Sequence, residues 1–186
     1  MSFIIRKALP ADAPVITQVG RQSFYDAFVD LFQSTQELDN YLDHTYNPVR
    51  IENSIRKPNN LYFLAFANEL PVGFAKMRIH SNRPFIASQR QSELQKFYVL
   101  QQYHGTGAAQ ALINAVIKNA EKEKAEQLWL DVHVGNEKAK RFYEKNGFTK
   151  AGDHNFIIGT QIFYYDVMAL PLTITISKNK EYGSSQ

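Results

Sequence analysis

The chain of 186 residues has no cysteine. Disulfides, thiolate metal sites and a cysteine nucleophile are therefore excluded. No apolar run approaches the roughly 20 residues of a membrane-spanning helix. The opening stretch MSFIIRKALPADAP turns polar too early for a secretory signal, so the expectation is a cytoplasmic protein with no membrane partner. Internal repeats and low-complexity linkers are also missing. The net charge is only +3, too small to argue for a nucleic-acid partner. His80, His104, His133 and His154 show no metal-ligand spacing such as H-x-x-x-H, and no metal is expected. Lys and Arg are absent from 22–49, where Asp26, Asp30, Glu37, Asp39 and Asp43 stand alone.

What is present is apolar and aromatic: 44% hydrophobic residues, thirteen Phe and ten Tyr. That content argues for an ordered core. The length fits one domain, expected over residues 1–171, with a flexible tail at 172–186. Basic residues are dense from Lys118 to Lys150, so one end of the molecule could attract a cation and the other an anion.

Hydrophobic periodicity gives seven strands and five helices. FIIRKAL reads as a strand, and PADAPVITQVGRQSFYDAFVDLF as a helix with prolines near its start. Ser34 with Glu37 has capping-box spacing before TQELDNYLDHTY. Asn47 and Pro48 open a third helix ending near Pro58. LYFLAFA and VGFAKMRIH form a hairpin joined by Asn68-Glu69-Leu70-Pro71, and 81–91 is a loop. SELQKFYVL is a strand, followed by a long helix striped with Leu112, Ile113, Val116, Ile117 and Ala120. EQLWLDVHV places Leu128, Leu130, Val132 and Val134 on one face. Asn136 opens a short helix that Gly147 ends, and FTKAGDHNFII pairs with QIFYYDVMAL. The expected fold is mixed α/β: a mostly antiparallel sheet of about seven strands, a central parallel β–α–β crossover, and helices on both faces. The aromatic last hairpin could form a seam between two copies.

The stretch LQKFYVLQQYHGTGAAQALINAV holds the chemistry. Gly105 and Gly107 fall where a strand hands over to a helix. Helix N-termini carry unpaired N–H groups and positive partial charge, and glycine admits a ligand close to the backbone, which suits phosphate. No P-loop run occurs. The dinucleotide fingerprint fails because Gln110 replaces its third glycine. The pattern Q/R-x-x-G-x-G/A is met by Gln102-Tyr103-His104-Gly105-Thr106-Gly107. An ordinary strand-to-helix turn remains the other reading of these glycines.

With that motif the chain resembles the GNAT superfamily of acetyl-CoA-dependent N-acetyltransferases. The strand Glu93–Val99 precedes the loop. Downstream, Asn136 to Phe148 fits N-x-x-A-x-x-F-Y-x-x-x-G-F without a gap. The resemblance spans roughly Phe3 to Leu170. SFYDAFVD, the acidic helical pair, LWLDV and GDHNFIIG are similar to the bacterial spermidine/spermine branch.

The resemblance implies an acetyl-CoA-binding core over 93–148 and a helical substrate-side region over 22–57. It implies a phosphate cradle at Gln102, Tyr103, His104, Gly105, Thr106, Gly107 and Ala108. Backbone groups of Phe97, Tyr98 and Val99 would meet the pantetheine arm. Lys138, Arg141 and Lys145 are candidates for the 3′-phosphate, unless they form an exposed mixed-charge helix face. Asn136 either caps its helix or meets the pantetheine amide. Tyr143 is the candidate general acid, because a phenol of ordinary pKa near 10 stays protonated at neutral pH; a packed core aromatic is the alternative. Glu93 is either the general base or a solvated edge-strand carboxylate. Tyr25, Asp26 and Asp30 are the substrate-side candidates, since carboxylates would attract a polyamine. The implied activity is acetyl transfer from acetyl-CoA to a primary amine such as spermidine or spermine. Other acceptors (an amino acid, a protein N-terminus, an antibiotic) and a non-catalytic CoA- or polyamine-sensing module remain open. A nucleotide-binding dehydrogenase fragment is disfavoured by the missing third glycine.

Overall fold

The computed structural model describes residues 2–173, so the expected tail lies outside the described residues from 174 onward. Seven strands form one sheet in the order β1-β2-β3-β4-β5-β7-β6. They are β1 (Phe3–Lys7), β2 (Asn60–Ala67), β3 (Leu70–Ile79), β4 (Gln91–Val99), β5 (Gln127–His133), β6 (Thr149–Ile158) and β7 (Gln161–Pro171). Every pairing is antiparallel except β4 with β5. The helices are α1 (Ala13–Phe28), α2 (Thr35–Thr45), α3 (Pro48–Ile55), α4 (Ala108–Lys122) and α5 (Glu137–Lys145). The expected mixed sheet with one parallel crossover is what the chain adopts.

Local chemistry sets the boundaries. Ser34 Oγ accepts from the Glu37 amide at 3.3 Å and starts α2. Asn47 Oδ1 accepts from Val49 and Arg50 and starts α3, with Pro48 in its first turn. Asn136 Oδ1 caps α5 through the Ala139 amide at 3.0 Å. Gly147, at φ 88°, turns the chain out of α5.

Two expectations are corrected. The β2–β3 connection is a two-residue turn, because Asn68 and Glu69 both take positive φ, 47° and 70°. Such a turn matches the twist of the flanking strands, so Leu70 and Pro71 join β3. Val134 lies just past β5 and is 39% exposed, while Leu128, Leu130 and Val132 are buried.

Each face of the sheet carries its own core. On one face α4 packs Leu112, Ile113 and Val116 against Phe63, Met77, Leu94 and Leu128. On the other, α1 to α3 pack Ile16, Phe24, Leu38 and Ile51 against Tyr62, Leu64 and Phe74. Side chains of this size stabilise by about 1.5–3 kcal/mol each when fully buried, so both layers are held to the sheet firmly enough to fix what lies between them.

Candidate active site

Two features of β4 open the site. Its parallel pairing with β5 covers only Gln91↔Gln127, Ser92↔Leu128 and Glu93↔Trp129. Beyond that register the strands part, although both continue, and a wedge opens between them. On its other edge β4 carries a bulge: Lys76 faces Lys96 and Met77 faces Leu94, leaving Gln95 over. A bulge re-aims the side chains that follow it. Phe97 and Val99 then join the α4-side core, while Lys96 and Tyr98 turn toward α1 to α3.

The wedge widens into a cavity of about 1500 Å³. Glu93, Phe97, Tyr98, Val99, His104, Gly105, Asn136, Lys138, Tyr143 and Asp26 all line it. Gln102, Tyr103, Thr106, Gly107, Ala108, Lys145, Tyr25 and Asp30 are not among its lining residues. Tyr25 in α1, Asp30 just past α1 and Lys145 at the end of α5 are all exposed.

The strand-to-helix loop is bare backbone. Gly105 and Gly107 have φ of +77° and +98°, and a Cβ at Gly105 would meet nothing within 4 Å among the described residues. The amides of Gly105, Gly107 and Ala108 have no acceptor among the described residues. His104 ties this loop down: Nε2 lies 2.9 Å from the Val99 carbonyl and Nδ1 lies 3.2 Å from Lys138 Nζ. An Nε2–H donating to Val99 while Nδ1 accepts from the ammonium satisfies both contacts. The Val99 carbonyl is thus already engaged, and Lys138 is brought to the loop. Gln110 Nε2 donates to Asn146 at 2.7 Å, joining α4 to α5.

Tyr143 is 8% exposed, with the Phe97 ring at 6.1 Å and Phe148 at 5.6 Å, centroid to centroid. Burial holds its phenol well above the ordinary value, so it stays protonated at neutral pH. The ring is therefore packed in the core and on the cavity wall at once.

Glu93 is 8% exposed and sits on a central strand, not an edge. Its Oε2 accepts from Ser81 Oγ at 2.8 Å and Arg78 at 3.4 Å, while Oε1 has no partner among the described residues. Asp131 on β5 meets Arg83 at 2.6 Å, and Arg83 stacks on Trp129 at 4.5 Å. Burial raises the Asp131 pKa even against Arg83, and its Oδ1 has no partner among the described residues. His133 also faces the cavity, with burial lowering its pKa.

The charged wall is mixed. Asp26, Glu37, Glu93 and Asp131 face the cavity. Against them stand Arg50, Lys57, Lys76, Arg83, Lys96 and Lys138. The acids of 22–49 are largely committed elsewhere. Asp26 accepts from Gln22, Asp43 pairs with Arg21, and Glu37 holds Thr160 at the β6–β7 turn. The contributions of Lys76, Lys96, Arg83 and Asp131 were missed from the sequence, because no local motif links a hairpin strand to a later loop. Alternating charge on two adjacent strands was the only available signal. Among the described residues no group of three or more His, Asp or Glu could hold a metal, and no helix is long and apolar enough to cross a membrane.

Comparison with known proteins agrees with this geometry. The sequence profile of the Acetyltransferase (GNAT) family matches residues 22–148. An uncharacterized N-acetyltransferase of Mycobacterium tuberculosis is 32% identical over 124 residues, covering 67% of this chain and 75% of the relative. An uncharacterized N-acetyltransferase of Lactobacillus delbrueckii subsp. lactis is 22% identical, covering 80% and 85%. Among solved structures, PaiA N-acetyltransferase from Thermoplasma acidophilum in complex with coenzyme A superposes with a TM-score of 0.75 at 23% identity, covering 92% of this chain and 99% of that one. The ribosomal-protein-S18-alanine N-acetyltransferase of Escherichia coli superposes at 0.68 with 18% identity, covering 95% and 98%.

Proposed function

The chain belongs to the GNAT acetyltransferase family, and we propose that it transfers an acetyl group from acetyl-CoA directly to a primary amine. The carrying observation is the wedge after the Glu93↔Trp129 pair, which runs from the bare glycine loop to Tyr143. Acetyl-CoA supplies the thioester when bound. The loop fits such a group: unpaired amides at a helix N-terminus favour phosphate oxygens, and the open space over Gly105 leaves them reachable. Residues 102–108 hold the diphosphate and Lys138 adds a cation beside it. Backbone of β4 past the bulge lies along the pantetheine arm. Asn136 stays a cap, and Lys145 serves the 3′-phosphate from outside the cavity.

Tyr143 keeps its proton until a leaving sulfur needs it, then donates it. Glu93 Oε1 receives the amine proton, directly or through water. A polyamine acceptor would draw on Asp26 and Glu37, which line the cavity; Tyr25 and Asp30 do not line it, and the cations that face it weigh against this choice. A second copy docking through the last hairpin is supported by exposed Phe156, Ile157, Ile162 and Tyr164.

The test is thiol release from acetyl-CoA with a panel of primary amines, alongside calorimetric titration of acetyl-CoA. Release above the amine-free rate is the expected result. Binding without stimulation by any amine would instead make the protein a CoA-sensing module.

A further inference from the structure

We propose that the acceptor is a primary amine carrying an anionic group, a carboxylate or a phosphate, which docks on the ammonium pair of Lys76 and Lys96. The inference rests on the acetyl-transfer reading above and deepens it. Tyr62, Lys76 and Lys96 form one row across β2, β3 and β4, since Tyr62 pairs with Lys76 and Lys76 with Lys96. All three face the cavity. Like charges directly opposite on adjacent strands repel, yet neither ammonium has a carboxylate within 4.0 Å among the described residues. They rest instead over aromatic faces, Lys76 at 5.6 Å from Tyr62 and Lys96 at 5.3 Å from Tyr46.

Lys57 and Arg50 enter the same space from the α3 side. Glu93 is the carboxylate nearest in effect, and its Oε2 is taken by Ser81 and Arg78. Positive charge held in a partly desolvated wall without a counter-ion is costly to the free protein. Burial and the neighbouring cations push the Lys76 pKa down to about 8, the signature of that cost. An anion on the acceptor relieves it. The same field disfavours a polycation and lowers the pKa of an incoming amine, leaving more of it neutral for attack.

The experiment pairs L-phenylalanine with L-phenylalaninamide and O-phosphoethanolamine with ethanolamine, and adds spermidine. Thiol release is measured for each, and calorimetry is run with free coenzyme A and no acetyl donor. At least one anionic member should exceed its neutral partner by 10-fold or more in kcat/KM and in affinity. Which pair responds separates carboxylate from phosphate. Lys76→Met and Lys96→Met should each erase most of that preference, and Lys76→Arg should restore it. Spermidine preferred over every anionic amine, or a preference untouched in both Met variants, would overturn the inference while leaving acetyl transfer standing. Anionic binding to the coenzyme A complex without turnover of any amine would instead defeat the transfer reading and keep the subsite.

Discussion

The two sides of the β4–β5 wedge are built by different means. On the α4–α5 side the chain offers mostly backbone: the strand past its bulge, the amides around Gly105 and Gly107, and the capped start of α5. These groups lie within residues 93–148, and side chains such as His104 and Asn136 hold them in place. On the α1–α3 side the wall is made of side chains gathered from separate places. Lys76 and Lys96 come from β3 and β4, Arg50 and Lys57 from the α3 region, and Glu37 from α2. The contrast is physical. A common group such as a diphosphate can be held by peptide amides, which every residue carries, so the local path of the chain suffices. A particular acceptor needs particular charges, and only tertiary structure assembles them.

Substitutions can break that contrast at its strongest point. Tyr143→Phe keeps the packing against Phe97 and Phe148 and removes only the hydroxyl. If the phenol is the proton donor, kcat should fall roughly 100-fold, the lower range for a positioned acid, while acetyl-CoA affinity stays within about two-fold. Steady-state rates with calorimetry check both halves. An unchanged kcat removes Tyr143 from proton transfer and leaves it a core aromatic.

The backbone half is tested at Gly105, where a Cβ meets nothing within 4 Å among the described residues. Any loss of affinity in Gly105→Val must therefore come from the positive-φ backbone or from the blocked cradle. A β-branched residue at φ +77° is strained by on the order of 1–3 kcal/mol. Acetyl-CoA should bind about 10-fold more weakly, close to 1.4 kcal/mol, with turnover at saturation nearly kept. Wild-type affinity would show that the loop does not hold the diphosphate.

The same contrast explains what the sequence could reveal. The glycine loop, the Asn136 cap and the aromatic pair Phe142–Tyr143 lie in contiguous motifs, and each motif is a local geometric requirement. The strands and their two hairpins followed from alternation and turn signals, whereas the placing of β7, not β6, against β5 did not. The bulge at Gln95 could not be foreseen, because it depends on how β3 and β4 slide past each other. The Lys76–Lys96 pair could not either, since these residues are twenty apart in the chain and meet only through that register. The acidic run at 22–49 was legible as charge, but its partners Arg21, Gln22 and Thr160 were not.

The gentlest test concerns stability and needs no ligand. The Lys76 pKa in the folded protein is about 8, below its ordinary 10.5. Between those values the folded state binds fewer protons than the unfolded chain, so unfolding free energy rises with pH through that window. Below pH 8 the ammonium is charged in both states and the full penalty is present. Lys76→Met removes the penalty, so at pH 7 this variant should be more stable than the wild type by on the order of 1 kcal/mol after screening at the cavity mouth. The gap should close as pH climbs from 8 toward 10. Above pH 10 the tyrosines whose pKa burial raises, Tyr143 among them, destabilise both proteins alike. Denaturant melts at pH 7, 8.5 and 10 read the gap directly. Parallel curves for the two proteins would mean that Lys76 finds its compensation within the fold, and the acceptor wall would then hold no unspent positive charge.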